Sequence, residues 1–80
     1  MVELIIRRPG LSDASAKLQP GAYLVGSGSD CHIVLDRPEI SRRHAQLVVN
    51  GDRVSVMDLG SSNSTFCNGN MLFPNEFCEI

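Results

Sequence analysis

In the middle of the chain, Ser41-Arg42-Arg43-His44 sets a hydroxyl, two guanidinium groups and an imidazole side by side. A second polar run, Gly60-Ser61-Ser62-Asn63-Ser64-Thr65, adds hydroxyls, an amide and loop N–H groups. A third, Gly26-Ser27-Gly28-Ser29, adds short donors on a pliant backbone. Together these are parts for holding a dense oxyanion such as phosphate: arginine supplies charge-assisted bonds, hydroxyls and backbone N–H groups supply short neutral ones. Catalysis fits less well. Ser41 or Cys67 as nucleophile, with His44 as base, lacks both a nucleophile elbow and a third orienting group. Asp30, Asp36, Asp52 and Asp58 stand at loop or turn positions, where aspartate serves local hydrogen bonding. Gly26-Ser27-Gly28 is neither a P-loop nor a dinucleotide fingerprint, because the next glycine and the following helix are missing. Cys31, His32, Cys67 and Cys78 match no zinc spacing. No enzyme, metal or cofactor is expected.

Groups of this kind need a frame. Helical periodicity is nearly absent; apolar residues come in short β-branched or alternating runs bounded by turn residues. Strands are expected at Val2 to Arg7, within Leu11 to Leu18, at Ala22 to Val25, at Ile33 to Leu35, at Ala45 to Val49, at Arg53 to Met57, near Thr65 to Cys67, and from Glu76 to Ile80. Pro9-Gly10 and Pro20-Gly21 close the first two segments, and Asn50-Gly51 is a strong hairpin signal. Such spacing predicts an all-β sandwich or barrel of short strands, with the polar stretches 26–32, 36–44 and 58–64 as its connecting loops. Met57, Met71, Phe66, Phe73 and Phe77 are expected to pack in the core or at its edge.

The 80 residues make one small domain at most, with 42% hydrophobic and 20% charged residues placing it among globular chains. A net charge of −2 argues against a nonspecific nucleic-acid binder. No apolar run reaches the ~20 residues of a membrane helix, and Met1 to Ile6 lacks the features of a secretory signal. Three cysteines cannot all pair within one molecule; with no signal sequence, they are expected as packed thiols in a reducing compartment.

Four blocks in order carry a resemblance: Gly26, Asp30 to Leu35, Ile40 to Ala45, and Asp58 to Gly69. Across roughly residues 22–69 the chain resembles the forkhead-associated (FHA) domain. The resemblance implies a β-sandwich whose end loops bind phosphothreonine peptides in signalling, without catalysis and without a cofactor. It implies phosphate contacts from Ser41, Arg42 and Ser62, a main-chain contact to the peptide from Asn63, and loop support from Gly26, His44 and Asn68. Ser27 stands where the family normally has its phosphate-clamping arginine, and Ser64 where it usually has glycine. The family also has a further strand after the 76–80 region, so residues 1–80 read as a single domain, truncated or part of a longer protein. An exposed strand edge would then allow a homodimer. The implied partner is a phosphothreonine protein or peptide, not nucleic acid or membrane, in the cytoplasm, or in the nucleus if the source is eukaryotic. The alternative is a degenerate FHA fold serving as a scaffold or assembly part, as in bacterial secretion-system components, which does not bind phosphate.

Overall fold

The computed structural model describes residues 2–7 and 10–80, which form nine strands. They are β1 (Val2–Ile6), β2 (Ala14–Leu18), β3 (Gly21–Gly26), β4 (Ile33–Val34), β5 (Ala45–Asn50), β6 (Arg53–Asp58), β7 (Phe66–Cys67), β8 (Asn70–Met71) and β9 (Phe77–Glu79). One layer is a five-stranded sheet in the order β4-β3-β5-β6-β9, antiparallel except for β3 and β4. The other consists of two antiparallel ribbons, β1–β2 and β7–β8. This is the all-β architecture that the short runs predicted, and the sandwich that the resemblance implied.

Side-chain alternation builds the core. Along β5, Ala45, Leu47 and Val49 are buried, while Gln46 and Val48 between them turn to the other face. Val56 of β6, Ile33 of β4 and Leu18 of β2 join them, with Cys67 and Leu72 closing from the β7–β8 side. On β1, Val2, Leu4 and Ile6 pack against this cluster, and Ile5 points outward. The cover is incomplete: a cavity of about 260 Å³ lies under the opposing layer, walled by Leu4, Ile33, Leu47 and Val56.

Both Asn-Gly pairs mark hairpins, in different ways. At β5–β6, Asn50 pairs with Arg53, leaving Gly51 at the first central position with φ +63°, as a type II′ turn requires. At β7–β8, Asn68 and Gly69 fill both central positions with φ of +51° and +83°, the type I′ pattern. The turn expected at Pro9-Gly10 lies partly outside the described residues.

Two expectations need correction. The cysteines are not all packed thiols: Cys67 of β7 and Cys78 of β9 form a disulfide, their Cα atoms 6.5 Å apart, while Cys31 is free and buried. That separation lies within the usual disulfide range, and the facing of β7 and β9 across the layers is what brings the two together. Nor do Phe66, Met71, Phe73 and Phe77 pack inside. Each is more than half exposed, because the inward positions of those segments go to Cys67, Leu72 and Cys78.

Candidate functional site

The three polar stretches meet at one end of the sandwich, sewn together by main-chain bonds. The Ser27 N–H donates to the Ser41 carbonyl at 3.0 Å, and the Gly28 N–H to the Arg42 carbonyl at 3.1 Å. Gly26 is needed for this approach. A Cβ on it would sit 2.2 Å from the Arg42 carbonyl oxygen and 2.9 Å from that of Ser41, with backbone on both counts and no side chain to move aside. The glycine thus serves packing and not a turn; its φ is not positive. Beneath it, buried Cys31 donates its S–H to the Arg42 carbonyl at 3.1 Å.

His44 braces the second loop against the third. The Ser41 N–H donates to its Nδ1 at 3.1 Å, which leaves Nε2 to donate to the Ser64 carbonyl at 2.8 Å. The ring is therefore positioned from both sides and makes the neutral, Nε2-protonated tautomer. His44 thus stands between the two loops. The Asn68 amide, in the turn of the β7–β8 hairpin, reaches the Glu79 carbonyl of β9 at 3.4 Å.

The third loop is wound around Asp58, which is 2% exposed. One carboxylate oxygen accepts the Gly60 N–H at 2.9 Å and the Ser61 N–H at 3.2 Å; the other accepts the Thr65 hydroxyl at 2.8 Å and the Ser61 hydroxyl. Burial alone would push this carboxyl up, but the four donors hold it below the ordinary carboxylate range. The sequence marked Asp58 only as a turn aspartate. Its signal as an anchor was the donors at Gly60, Ser61 and Thr65, which the loop folds back onto it. Ser64, one residue before Thr65, has φ +68°, the left-handed region that a side chain strains.

On this frame several of the predicted ligand groups lie in loops bonded to one another. The Ser41 hydroxyl oxygen accepts the Ser62 N–H at 3.0 Å, so its own proton is free to point outward. The Asn63 amide donates one N–H to the Glu39 carbonyl at 2.7 Å, which fixes the side chain and leaves its oxygen and second N–H for a ligand. Two of the three neighbouring arginines are occupied. Arg43 bonds Asp30 at 2.8 Å and Arg37 bonds Glu39 at 2.8 Å. The Arg43 hydrogen bond holds the Asp30 carboxyl below its usual range, and Glu39's own backbone bond followed by Arg37 does the same for Glu39. Arg42, exposed between them, forms no ion pair among the described residues. Ser27 is half-buried at the edge of this group. His32, to which the sequence reading gave no role, accepts the Leu24 N–H at 2.9 Å and sets its ring edge against Tyr23. It steadies the first loop from behind.

A β-sandwich whose joined loops offer hydroxyls, an amide and an exposed guanidinium has the groups of an anion-binding surface. The comparison with known proteins agrees: the FHA domain matches residues 23–79, and the chain belongs to the FHA family. It is 35% identical over 65 residues to an oxoglutarate dehydrogenase inhibitor of Corynebacterium jeikeium, covering 81% of this chain and 45% of that one. The chain thus spans less than half the length of that relative. Among solved structures it is similar to the FHA domain of a Chlamydia trachomatis protein, with a TM-score of 0.86 and 28% identity over 98% of this chain and 78% of the other. It is also similar to a yeast FHA domain solved in complex with a doubly phosphorylated threonine peptide, with a TM-score of 0.73 and 25% identity over 98% of this chain and 60% of the other.

Proposed function

We propose that the domain reads phosphothreonine in a partner protein, with the phosphate held by Ser41, Arg42 and Ser62 and the peptide main chain by Asn63. The observation that carries this reading is the state of Ser41 and Arg42. The serine's oxygen accepts from Ser62 and its proton is free, and next to it in sequence stands an exposed arginine that forms no ion pair among the described residues, though its charge acts on Asp30. Charge-assisted bonds from Arg42 and short neutral bonds from the hydroxyls are what a phosphate dianion requires. Ser27 lies at the rim in place of the family's arginine and contributes only a neutral donor. The missing charged contact weakens binding by ~1.5–3 kcal/mol, roughly ten- to a hundredfold.

The same reading carries several further proposals. Residues 1–80 are one domain of a longer protein, consistent with the part of its relatives that the chain spans. The edge of β1, whose ladder among the described residues is with β2 alone, is a place for a second copy to add a strand and form a homodimer. The partner is a cytoplasmic phosphoprotein, or a nuclear one in a eukaryote. Cys67 and Cys78 would then work among thiol reductants.

The test is a fluorescence-anisotropy titration with phosphothreonine, phosphoserine and unphosphorylated peptide pools. Phosphothreonine-selective saturation that is lost in Ser41→Ala, weakens with salt and rises ten- to a hundredfold in Ser27→Arg is expected. Folded protein with no selectivity at millimolar peptide would refute the reading in favour of a phosphate-blind scaffold. A strictly monomeric species in sedimentation at high concentration would remove the dimer.

A further inference from the structure

We infer that the Cys67–Cys78 bond is a redox switch on the candidate site. Closed, it holds the loop wound around Asp58 in shape; opened by a low-molecular-weight thiol, it loosens that loop and weakens phosphopeptide binding, an effect on affinity that rests on the reading proposed above. The bond joins β7 to β9 across the two layers. It stands where the fold is least paired: β7 and β8 are two residues each and β9 is three, against the six-residue ladder of β5 and β6. The 3.4 Å bond from the Asn68 amide to the Glu79 carbonyl is a weak second tie between that hairpin and β9.

Both ends of the bond lead to Asp58. Cys67 lies just past Thr65, which gives its hydroxyl to the Asp58 carboxylate and whose carbonyl accepts the Leu72 N–H at 2.9 Å. From the β9 side, the Asn75 N–H donates to the Asp58 carbonyl at 2.8 Å, and Pro74 bridges to Asp58. The ring of residues 67–78 thus holds Thr65 through Leu72 and the Asp58 main chain through Asn75. A covalent closure limits the open states of that ring, and cutting it restores them.

The two sulfurs differ in access. Cys67 is 3% exposed, whereas Cys78 is half-buried on a strand whose outer side pairs with no strand among the described residues. A small thiolate therefore attacks the Cys78 Sγ: a mixed disulfide forms there, the Cys67–Cys78 bond breaks, and Cys67 leaves as a thiolate that takes up a proton. A second small thiol attacks the mixed disulfide, releasing Cys78 as a thiol and the small molecule as its own disulfide. Two electrons pass from two small thiols to the protein, and the small-molecule disulfide closes the bond again by the same steps reversed. Among thiol reductants, protein disulfides are mostly transient or redox-sensing, and exposed ones are the labile class.

The experiment equilibrates the isotope-labelled 80-residue chain at a series of reduced-to-oxidised glutathione ratios. Mass after alkylation counts the bond, amide exchange reads the loop, and anisotropy with the phosphothreonine peptide pool reads the site. As the bond opens, exchange at Gly60, Leu72 and Asn75 is expected to rise about tenfold or more while Leu47 and Val56 in the central strands change far less, and affinity is expected to fall about five- to tenfold. Oxidised glutathione should reverse all three readings. Cys78→Ser, at the half-buried end, should hold the open-state values at every ratio; the wild-type series decides by itself if that variant does not fold. A bond that opens only when Leu47 and Val56 exchange equally fast is broken by global unfolding, which overturns the switch. Unchanged exchange at Gly60, Leu72 and Asn75, or equal phosphothreonine affinity in both states, also overturns it and leaves the phosphopeptide reading intact. Loop exchange that responds while neither state binds phosphothreonine overturns the phosphopeptide reading and leaves the redox opening of the loop standing.

Discussion

Replacing Asp58 separates the charge of the loop anchor from its shape. In Asp58→Asn the amide oxygen can take the place of the carboxylate oxygen that accepts the Gly60 and Ser61 N–H groups, since backbone donors cannot reverse. The amide nitrogen then faces the Ser61 and Thr65 hydroxyls, which can rotate to accept instead of donate. All four contacts survive and only the charge assistance is lost. Charged hydrogen bonds contribute ~1.5–3 kcal/mol and neutral ones ~0.5–1.5, and the amide also escapes the cost of burying a charge, so the net loss is about 1–2 kcal/mol. Asp58→Ala removes all four bonds and strands two N–H groups, which costs about 3–4 kcal/mol, a large part of the stability of so small a domain. The pH dependence carries a second check. The folded carboxyl titrates below its unfolded value of about 3.9, so its stabilisation is fully present above that pH and drains as pH falls through the lower, folded value. Urea melts of wild type and both variants between pH 7 and pH 2.5 measure both effects. The gap between wild type and Asp58→Asn should narrow below about pH 4. Equal destabilisation by Asn and Ala, or a gap that does not change with pH, would refute the account.

Two other perturbations follow from the same loops and strands. Ser64→Gly removes a Cβ from a residue at φ +68°, and after the added freedom of the unfolded glycine is subtracted it should raise stability by about 0.5–1 kcal/mol. Calorimetry should show Tm rising by about 2–8 °C; a fall would mean that the Ser64 side chain does more than strain its backbone. Reduction of the Cys67–Cys78 bond, which links residues 11 apart in sequence, should cost about 3 kcal/mol through the freed loop entropy. Coincident urea midpoints with and without reductant, on protein shown by mass to carry the bond, would contradict this.

Much of the fold was legible because two-residue alternation and turn residues are local signals. Ala45 to Val49 and Arg53 to Met57 emerge as a hairpin, and Ser41, His44, Ser62 and Asn63 lie in loops that hydrogen-bond to one another. What stayed hidden depends on distant geometry. Nothing near Cys67 indicates that β9 will bring Cys78 to it, because that contact is made across layers. The aromatic residues at 66, 73 and 77 look like core by composition, and only the register that turns Cys67 and Leu72 inward puts them outside. Asn68 stands in a motif, and only the tight hairpin shows that its amide reaches Glu79. Asp58 and Gly26 were visible as residue types, but not their purposes: one anchors a loop by its carboxylate, the other admits a second backbone.

The main-chain seam between residues 27–28 and 41–42 has a consequence for how this surface can change. Its two bonds run from N–H to carbonyl, and the side-chain requirement they impose is the absence of a Cβ at Gly26 and Gly28, where it would meet the Arg42 carbonyl at 2.2 and 3.0 Å. The identities at positions 27 and 42 are therefore uncoupled from the shape of the socket that presents them. A lineage, or a library, can exchange serine for arginine there, or the reverse, in a single step and without repacking. Affinity can drift down to dormancy and return while the fold is inherited unchanged, which makes these two positions natural dials for retuning the domain to new partners.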